Sequence, residues 1–187
     1  MAKVSTQIAA KDYPDQGIKK GDTYYSWTPG FRGRLQRSLT PPRQSQLTGN
    51  DKLSRVYSIS EDIGDQAAKC DNLADLASLL ETAASDLGDI IDEYRESFDN
   101  MPEGLQQGDV GQQLESNADE LDGWKDELEE AAGEIEGLDF VEVANAERET
   151  EQGEAELPED TKFEDLTDGD KEAVLEHARG LIPDCPL

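Results

Sequence analysis

LADLASLLETAASDLGDIIDEYRESFDNM, residues 73–101, decides how the rest of the chain is read. Its apolar residues fall at Leu73, Leu76, Leu80, Ala83, Leu87, Ile90, Tyr94 and Met101, in steps of three and four interrupted only at Ser97. That spacing is the seam of a helix made to lie along a partner helix. Downstream, Asn100, Pro102 and Gly104 stop it, and residues 101–111 (MPEGLQQGDVG) read as a loop. A second seam then runs through Leu114, Asn117, Leu121, Trp124, Leu128, Ala131, Ile135 and Leu138. Joined by so short a connection, the two segments are predicted to fold back on each other as an antiparallel coiled-coil helical hairpin.

Upstream, Leu53, Val56, Ser60, Ile63, Ala67 and Cys70 keep the same alternation, with Asp51 as the expected N-cap, after which Leu73 arrives one residue early. Either a three-residue stammer lets one helix of roughly 75 Å run over 51–100, or the chain breaks at Gly64 or at Asp71 and Asn72. The partner seam covers only 114–139, which leaves Leu53 to Cys70 uncovered. A C-terminal helix or a second copy of the chain must cover it, and the simpler answer, a homodimer, is the expectation.

The flanks differ. Residues 1–22 are polar and punctuated by Pro14, Gly17 and Gly21, and read as a mobile arm with at most a short strand. Thr23 to Trp27 are strand formers, Thr28-Pro29-Gly30 is a turn, and Phe31 to Leu39 returns as the second strand of a small β-hairpin. Pro41 and Pro42 end it. From Glu142 to Asp160 the chain is Glu-rich with little apolar content, and a disordered linker is expected there. Thr167 and Asp170 form a capping box for a short last helix through Arg179, with Val174, Leu175, Ala178 and Leu181 on its apolar face. The predicted fold is mainly α in three parts: a basic aromatic arm (1–50), an acidic coiled-coil hairpin (51–139), and an acidic linker with a short C-terminal helix (140–187).

Charge sharpens this division. Of 187 residues, 17 are Lys or Arg and 44 Asp or Glu, for a net charge of −27. Residues 1–56 hold ten bases against four acids, a net of +6, so the remaining 131 carry −33. Such a step in sign offers a polyanion to one end and a cationic surface to the other. A salt-adapted composition would acidify the whole chain, and the basic first third argues against it. With 35% hydrophobic and 6% aromatic residues there is little material for a thick core, and a thin helical body is expected.

Several classes of chemistry find no support. A single histidine, His177, opposite the last helix's apolar face, cannot anchor a Ser/His/Asp set. Cys70 and Cys185 are far apart and in unlike settings, so neither a disulfide framework nor a zinc site is predicted; Cys70, on a seam, reads as a small buried hydrophobe. The carboxylates at Asp119, Glu120 and Asp122, or Glu127, Glu129 and Glu130, lack the spacing of a calcium loop. Gly108 to Gly111 is not followed by the Lys-Ser/Thr of a phosphate loop. No apolar run approaches the roughly 20 residues that cross a bilayer. The expectation is a non-enzymatic protein of the cytoplasm, with no cofactor, no metal and no membrane.

One segment carries functional promise. Four of the eleven aromatics and their neighbouring bases give Tyr24, Tyr25, Trp27, Phe31, Arg32, Arg34, Arg37 and Arg43. Rings stack on bases, guanidinium groups neutralise phosphates, and a two-stranded ribbon fits a major groove. Equally, the rings can pack on the protein and the arginines pair with its acids.

Gly21-Asp22-Thr23-Tyr24-Tyr25-x-Trp27, then Thr40-Pro41-Pro42-Arg43-x-Ser45-Gln46-Leu47-Thr48, then Asn100-Met101-Pro102-Glu103-Gly104-Leu105-Gln106 resemble a group of uncharacterised proteins from phages and related mobile elements, over residues 17–130. The resemblance implies a viral or mobile-element origin, hence a host cytoplasm, and no particular activity. The leading expectation is an interaction protein whose basic arm contacts nucleic acid or a ribonucleoprotein. The alternatives are an acidic nucleic-acid mimic that occupies a basic host protein, and a structural particle component.

Overall fold

The computed structural model describes residues 2–30, 33–150 and 156–187. Three strands, β1 (Ser5–Ile8), β2 (Thr23–Trp27) and β3 (Gln36–Ser38), precede six helices: α1 (Asp51–Ala67), α2 (Leu73–Asp99), α3 (Glu103–Gln106), α4 (Asp109–Glu136), α5 (Phe140–Thr150) and α6 (Asp168–Arg179). The fold is mainly α. The chain divides into two compact units, Met1–Asp62 with Leu187, and Ile63–Pro186.

In the first unit the strands form one antiparallel sheet in the order β1-β2-β3. Ser5 pairs with Ser26 and Ile8 with Thr23 on one side of β2, and Tyr25 pairs with Ser38 and Trp27 with Gln36 on the other. The expected hairpin therefore gains a third strand, and residues 1–22 are not a free arm. What sequence pattern alone could not show is long-range: Ala9, Ile18 and Tyr24 bury one another, with Tyr13 packed against them. Gly21 and Gly17 take positive φ (96° and 67°), turning the chain between β1 and β2. Farther on, Ser45 donates from its amide and its hydroxyl to Glu61 of α1 (3.0 and 2.6 Å), and Ser54 donates to the Ser45 carbonyl (2.7 Å). The α1 cap is Asn50, one residue before the expected Asp51; its Oδ1 accepts from the amides of Lys52 and Leu53 (3.1 and 3.4 Å).

The second unit is built on the hairpin that residues 73–101 announced. Leu76, Leu80, Leu87, Ile90 and Tyr94 of α2 are buried, as are Leu121, Trp124, Leu128 and Ile135 of α4. Arg95 meets Asp122 at 2.8 Å near one end, and Leu73 and Leu138 share a cluster at the other, so the two helices run antiparallel. Ala77, Ala84, Ala118 and Ala132 are buried beside the seams, which lets the two backbones come close. Each buried Leu or Ile contributes on the order of 1.5–3 kcal/mol. The second helix starts earlier than its seam, at Asp109, and the supposed loop contains α3. Gly111 lies in the first turn of α4 because a Cβ there would overlap the Gln106 carbonyl.

Between α1 and α2 the chain breaks, as the early arrival of Leu73 allows. Asn72 accepts a hydrogen bond from the Asp75 amide (2.8 Å) and opens a new helix, which resolves the phase slip by a restart. Arg179 donates to the carbonyls of Ala67 (3.0 Å) and Cys70 (3.4 Å), taking acceptors that the end of α1 leaves open. The α1 residues Val56, Ile63 and Ala67 are buried within a single chain, so the seam that suggested a second copy does not require one.

The Glu-rich stretch after residue 140 is helical through Thr150 and is no linker there; residues 151–155 of the expected linker lie outside the described residues. Asp139 accepts from the amides of Val141 and Glu142 (3.1 Å each) and starts α5. Ala144, Leu166 and Val174 then form a cluster with Phe140, Val143 and Phe163 packed on it. Phe140 and Phe163 meet edge to face at 5.7 Å. Phe140, Val143 and Ala144 suffice in a Glu-rich segment because residues from elsewhere in the chain, Phe163 and Leu166 together with Val174 of α6, supply the other half. The capping box of Thr167 and Asp170 forms as expected. After α6, the tail returns along the unit to Pro183, whose carbonyl accepts from the Trp124 indole (3.4 Å).

Candidate interaction surfaces

The eight residues proposed from sequence for nucleic acid divide sharply. Tyr24 and Trp27 keep only 5% of their surface exposed. Tyr24 donates to Gln7 (2.8 Å) and packs tilted against Tyr13, ring centroids 5.8 Å apart; Trp27 donates from its indole to the Gln46 carbonyl (2.9 Å). Their rings are interior and not presented for stacking. Arg37 is half-buried, its guanidinium 4.6 Å from the Tyr13 ring centroid, a cation–π contact inside the unit. Tyr25 is half-buried, and Arg34 and Arg43 are exposed. Phe31 and Arg32 lie outside the described residues. Among the described members of the set, one partly covered ring and two cations remain outward.

A hollow of about 430 Å³ lies in the same unit, between the Thr28–Gly30 turn, Gln44–Gly49, and Leu53 and Tyr57 of α1. Among the described residues Lys3 is its only charged lining residue, and none of those lining it is an acid, a histidine or a cysteine. The turn behind it is closed by a backbone contact. A Cβ on Gly49 would stand 2.8 Å from the Gly30 Cα, and Gly30 itself has φ +64°.

The second unit presents a different surface. The α2 helix carries eight acids and one base, Arg95, and α4 carries eleven acids and one base, Lys125. Because the seams take the apolar residues inward, these carboxylates are left outward: Asp86, Asp89, Asp92, Glu96 and Asp99 on α2, and Asp119, Glu120, Asp126, Glu127, Glu130 and Glu134 on α4, are exposed. Arg95 is committed to Asp122 at 2.8 Å and Lys125 to Glu129 at 2.5 Å. Two bases for nineteen acids leave the hairpin with a net −17. Over a 28-residue helix, about 42 Å long, that is one negative charge per ~2.5 Å of axis, against ~1.7 Å in duplex DNA. In linear charge density the hairpin approaches a nucleic acid.

Compared with known proteins, the chain matches no family model, no curated protein and no solved structure.

The remaining residues singled out by type take structural places. His177 is exposed on α6. Cys70 is not on a helical seam, since the break before Asn72 moves it into the connection; it is half-buried there with its Sγ 3.4 Å from the Gln66 carbonyl. Burial, and then Asp75, push its thiol up from the ordinary range. Among the described residues no group of three or more His, Cys, Asp or Glu is placed to hold a metal ion, and no helix is long and apolar enough to cross a membrane.

Two features that matter escaped the sequence: the Arg148 partner of Asp170, and the exposure of two apolar residues at the turn. Asp170, only 8% exposed, receives a two-pronged bond from Arg148 (2.8 and 2.6 Å) and another from the Thr167 hydroxyl (2.6 Å). The Arg148 guanidinium holds its carboxyl down at about 2. Leu105 and Val110, at the turn of the hairpin, are 60% and 65% exposed. Their signal was present in the sequence as apolar residues inside the stretch 101–111 that reads as a loop.

Proposed function

We propose that this is a non-enzymatic interaction protein that presents the acidic α2/α4 hairpin to a cationic protein surface, in the manner of a nucleic-acid mimic. One observation carries the reading: a formal net charge of −17 is spread along one hairpin at a linear density that approaches that of phosphates. A binding site built for DNA or RNA meets a similar field there, and release of counterions from both surfaces favours the contact. On this reading the partner is a basic protein, and a phage or mobile-element origin makes it a basic host protein.

A second reading keeps the first unit as a nucleic-acid or ribonucleoprotein contact, through Tyr25, Arg34 and Arg43. The outward arginines favour it, and the interior positions of Tyr24 and Trp27 weaken it.

Two titrations of the intact chain separate them, at about 0.15 M salt where weak surface attractions are screened. In the first, a lysine-rich polycation should bind, and changing Asp119→Asn, Glu127→Gln, Glu130→Gln and Glu134→Gln together should weaken it about tenfold. In the second, labelled duplex DNA and RNA should not shift. Binding to DNA or RNA that is lost in Arg34→Ala/Arg43→Ala, with polycation binding unmoved by the acid changes, overturns the first reading in favour of the second.

A further inference from the structure

The turn of the hairpin breaks the rule that the seams obey elsewhere, since it leaves large apolar side chains in solvent. Val110, Leu114 and Ala118 follow one another at helical i, i+4 spacing on α4, from 65% exposed at Val110 through half-buried at Leu114 to buried at Ala118. Leu114 and Ala118, with Phe98 of α2, line an open hollow of about 280 Å³. Leu105 of α3 adds a further exposed side chain at the turn. The rim has one sign. Asp99, Glu115 and Asp119 border the hollow, Glu103 and Asp109 stand exposed beside the turn, and the one base there, Arg95, is held by Asp122 at 2.8 Å.

An apolar hollow within a ring of carboxylates selects its occupant by charge. A second copy meeting this turn with its own hairpin brings a formal −17 of like sign to the contact. A cationic amphipathic helix brings bases to the rim and an apolar stripe to the floor. We propose that the turn of the hairpin is the anchoring site for such a helix in the basic partner, with Phe98, Leu105, Val110 and Leu114 receiving its apolar face. This rests on the reading of the hairpin as a surface for a cationic protein, and adds to it what charge alone cannot give, discrimination among basic partners.

The test uses the full chain and two synthetic peptides of about 18 residues, roughly five helical turns. One is a Leu/Lys sequence with leucines at i, i+3, i+4 and i+7; the other has the same composition scrambled, so that charge is kept and the stripe lost. The chain should bind the amphipathic peptide about tenfold more tightly than the scrambled one, in salt high enough to screen the rim. Leu105→Ser/Val110→Ser should abolish that preference while leaving the scrambled peptide's binding and the melting temperature unchanged, since both side chains are already in solvent. Equal binding of the two peptides overturns the anchoring site and leaves the acidic surface standing; binding of neither removes both. Concentration-dependent self-association that disappears in Leu105→Ser/Val110→Ser assigns the patch to a second copy and also overturns the proposal.

Discussion

Asp170 shows how one side chain organises the second unit. Its carboxylate takes four hydrogen bonds from Arg148 and Thr167 while shielded from solvent, and so joins α5 to α6 across 22 residues of chain. Removing the cation leaves a buried charge without its counterpart, so Arg148→Ala is expected to cost about 3 kcal/mol in chemical denaturation. The same pair sets a pH dependence. With the folded carboxyl at about 2 against an ordinary 3.8, its contribution is full above pH 4 and is lost as pH falls through 2. That contribution is about 2 kcal/mol at neutral pH, and in Asp170→Asn the stability profile between pH 5 and 2 should flatten by about that much. In the first unit, Gly49→Ala places a methyl 2.8 Å from the Gly30 Cα, in backbone that cannot swing aside. A loss of order 1–3 kcal/mol is expected, read as a lower melting temperature with retained helical circular dichroism.

At the scale of elements, the sequence was most readable where a period repeats. The seams from Leu76 to Tyr94 and from Leu121 to Ile135 recur for several turns, and every one of their large residues is buried. The Thr167 and Asp170 box was equally legible, because capping is chemistry between residues three apart. The α1/α2 boundary was left open by the sequence and settled by a local contest: Asn72, as a cap, outweighs the continuation of a helix whose seam has slipped by one residue. Asn72→Ala should therefore cost about 1 kcal/mol, measured by denaturation and by faster amide exchange in the first turn of α2. What stayed hidden depends on distant partners. The α5 helix has too few apolar residues to announce itself, and Phe163, Leu166 and Val174, distant in sequence, make its face worth burying. For the candidate site, residue type was a poor guide. Tyr24 and Trp27 looked like stacking rings because they sit beside arginines, yet β1 and the turn at Gln46 take both into the interior. Composition did indicate the acidic hairpin, and the seams told which side of each helix would carry the charge.

For the whole molecule, the consequence of that charge runs in two directions. Seventeen like charges on one hairpin repel each other, and the apolar seam holds them together against this. Added salt screens the repulsion, so the melting temperature of the intact chain should rise between about 0.05 and 0.5 M sodium chloride, opposite to the behaviour of a fold held by surface ion pairs. A partner of opposite sign does the same work locally, which makes binding and stabilisation one effect. The most direct test of the central claim is what remains on the tagged, full-length protein purified from its native cell after nuclease digestion, compared with the variant that neutralises Asp119, Glu127, Glu130 and Glu134. The account predicts a basic protein that survives nuclease on the unaltered chain and is missing from the variant; a partner set that nuclease strips away, or that the variant retains in full, would contradict it.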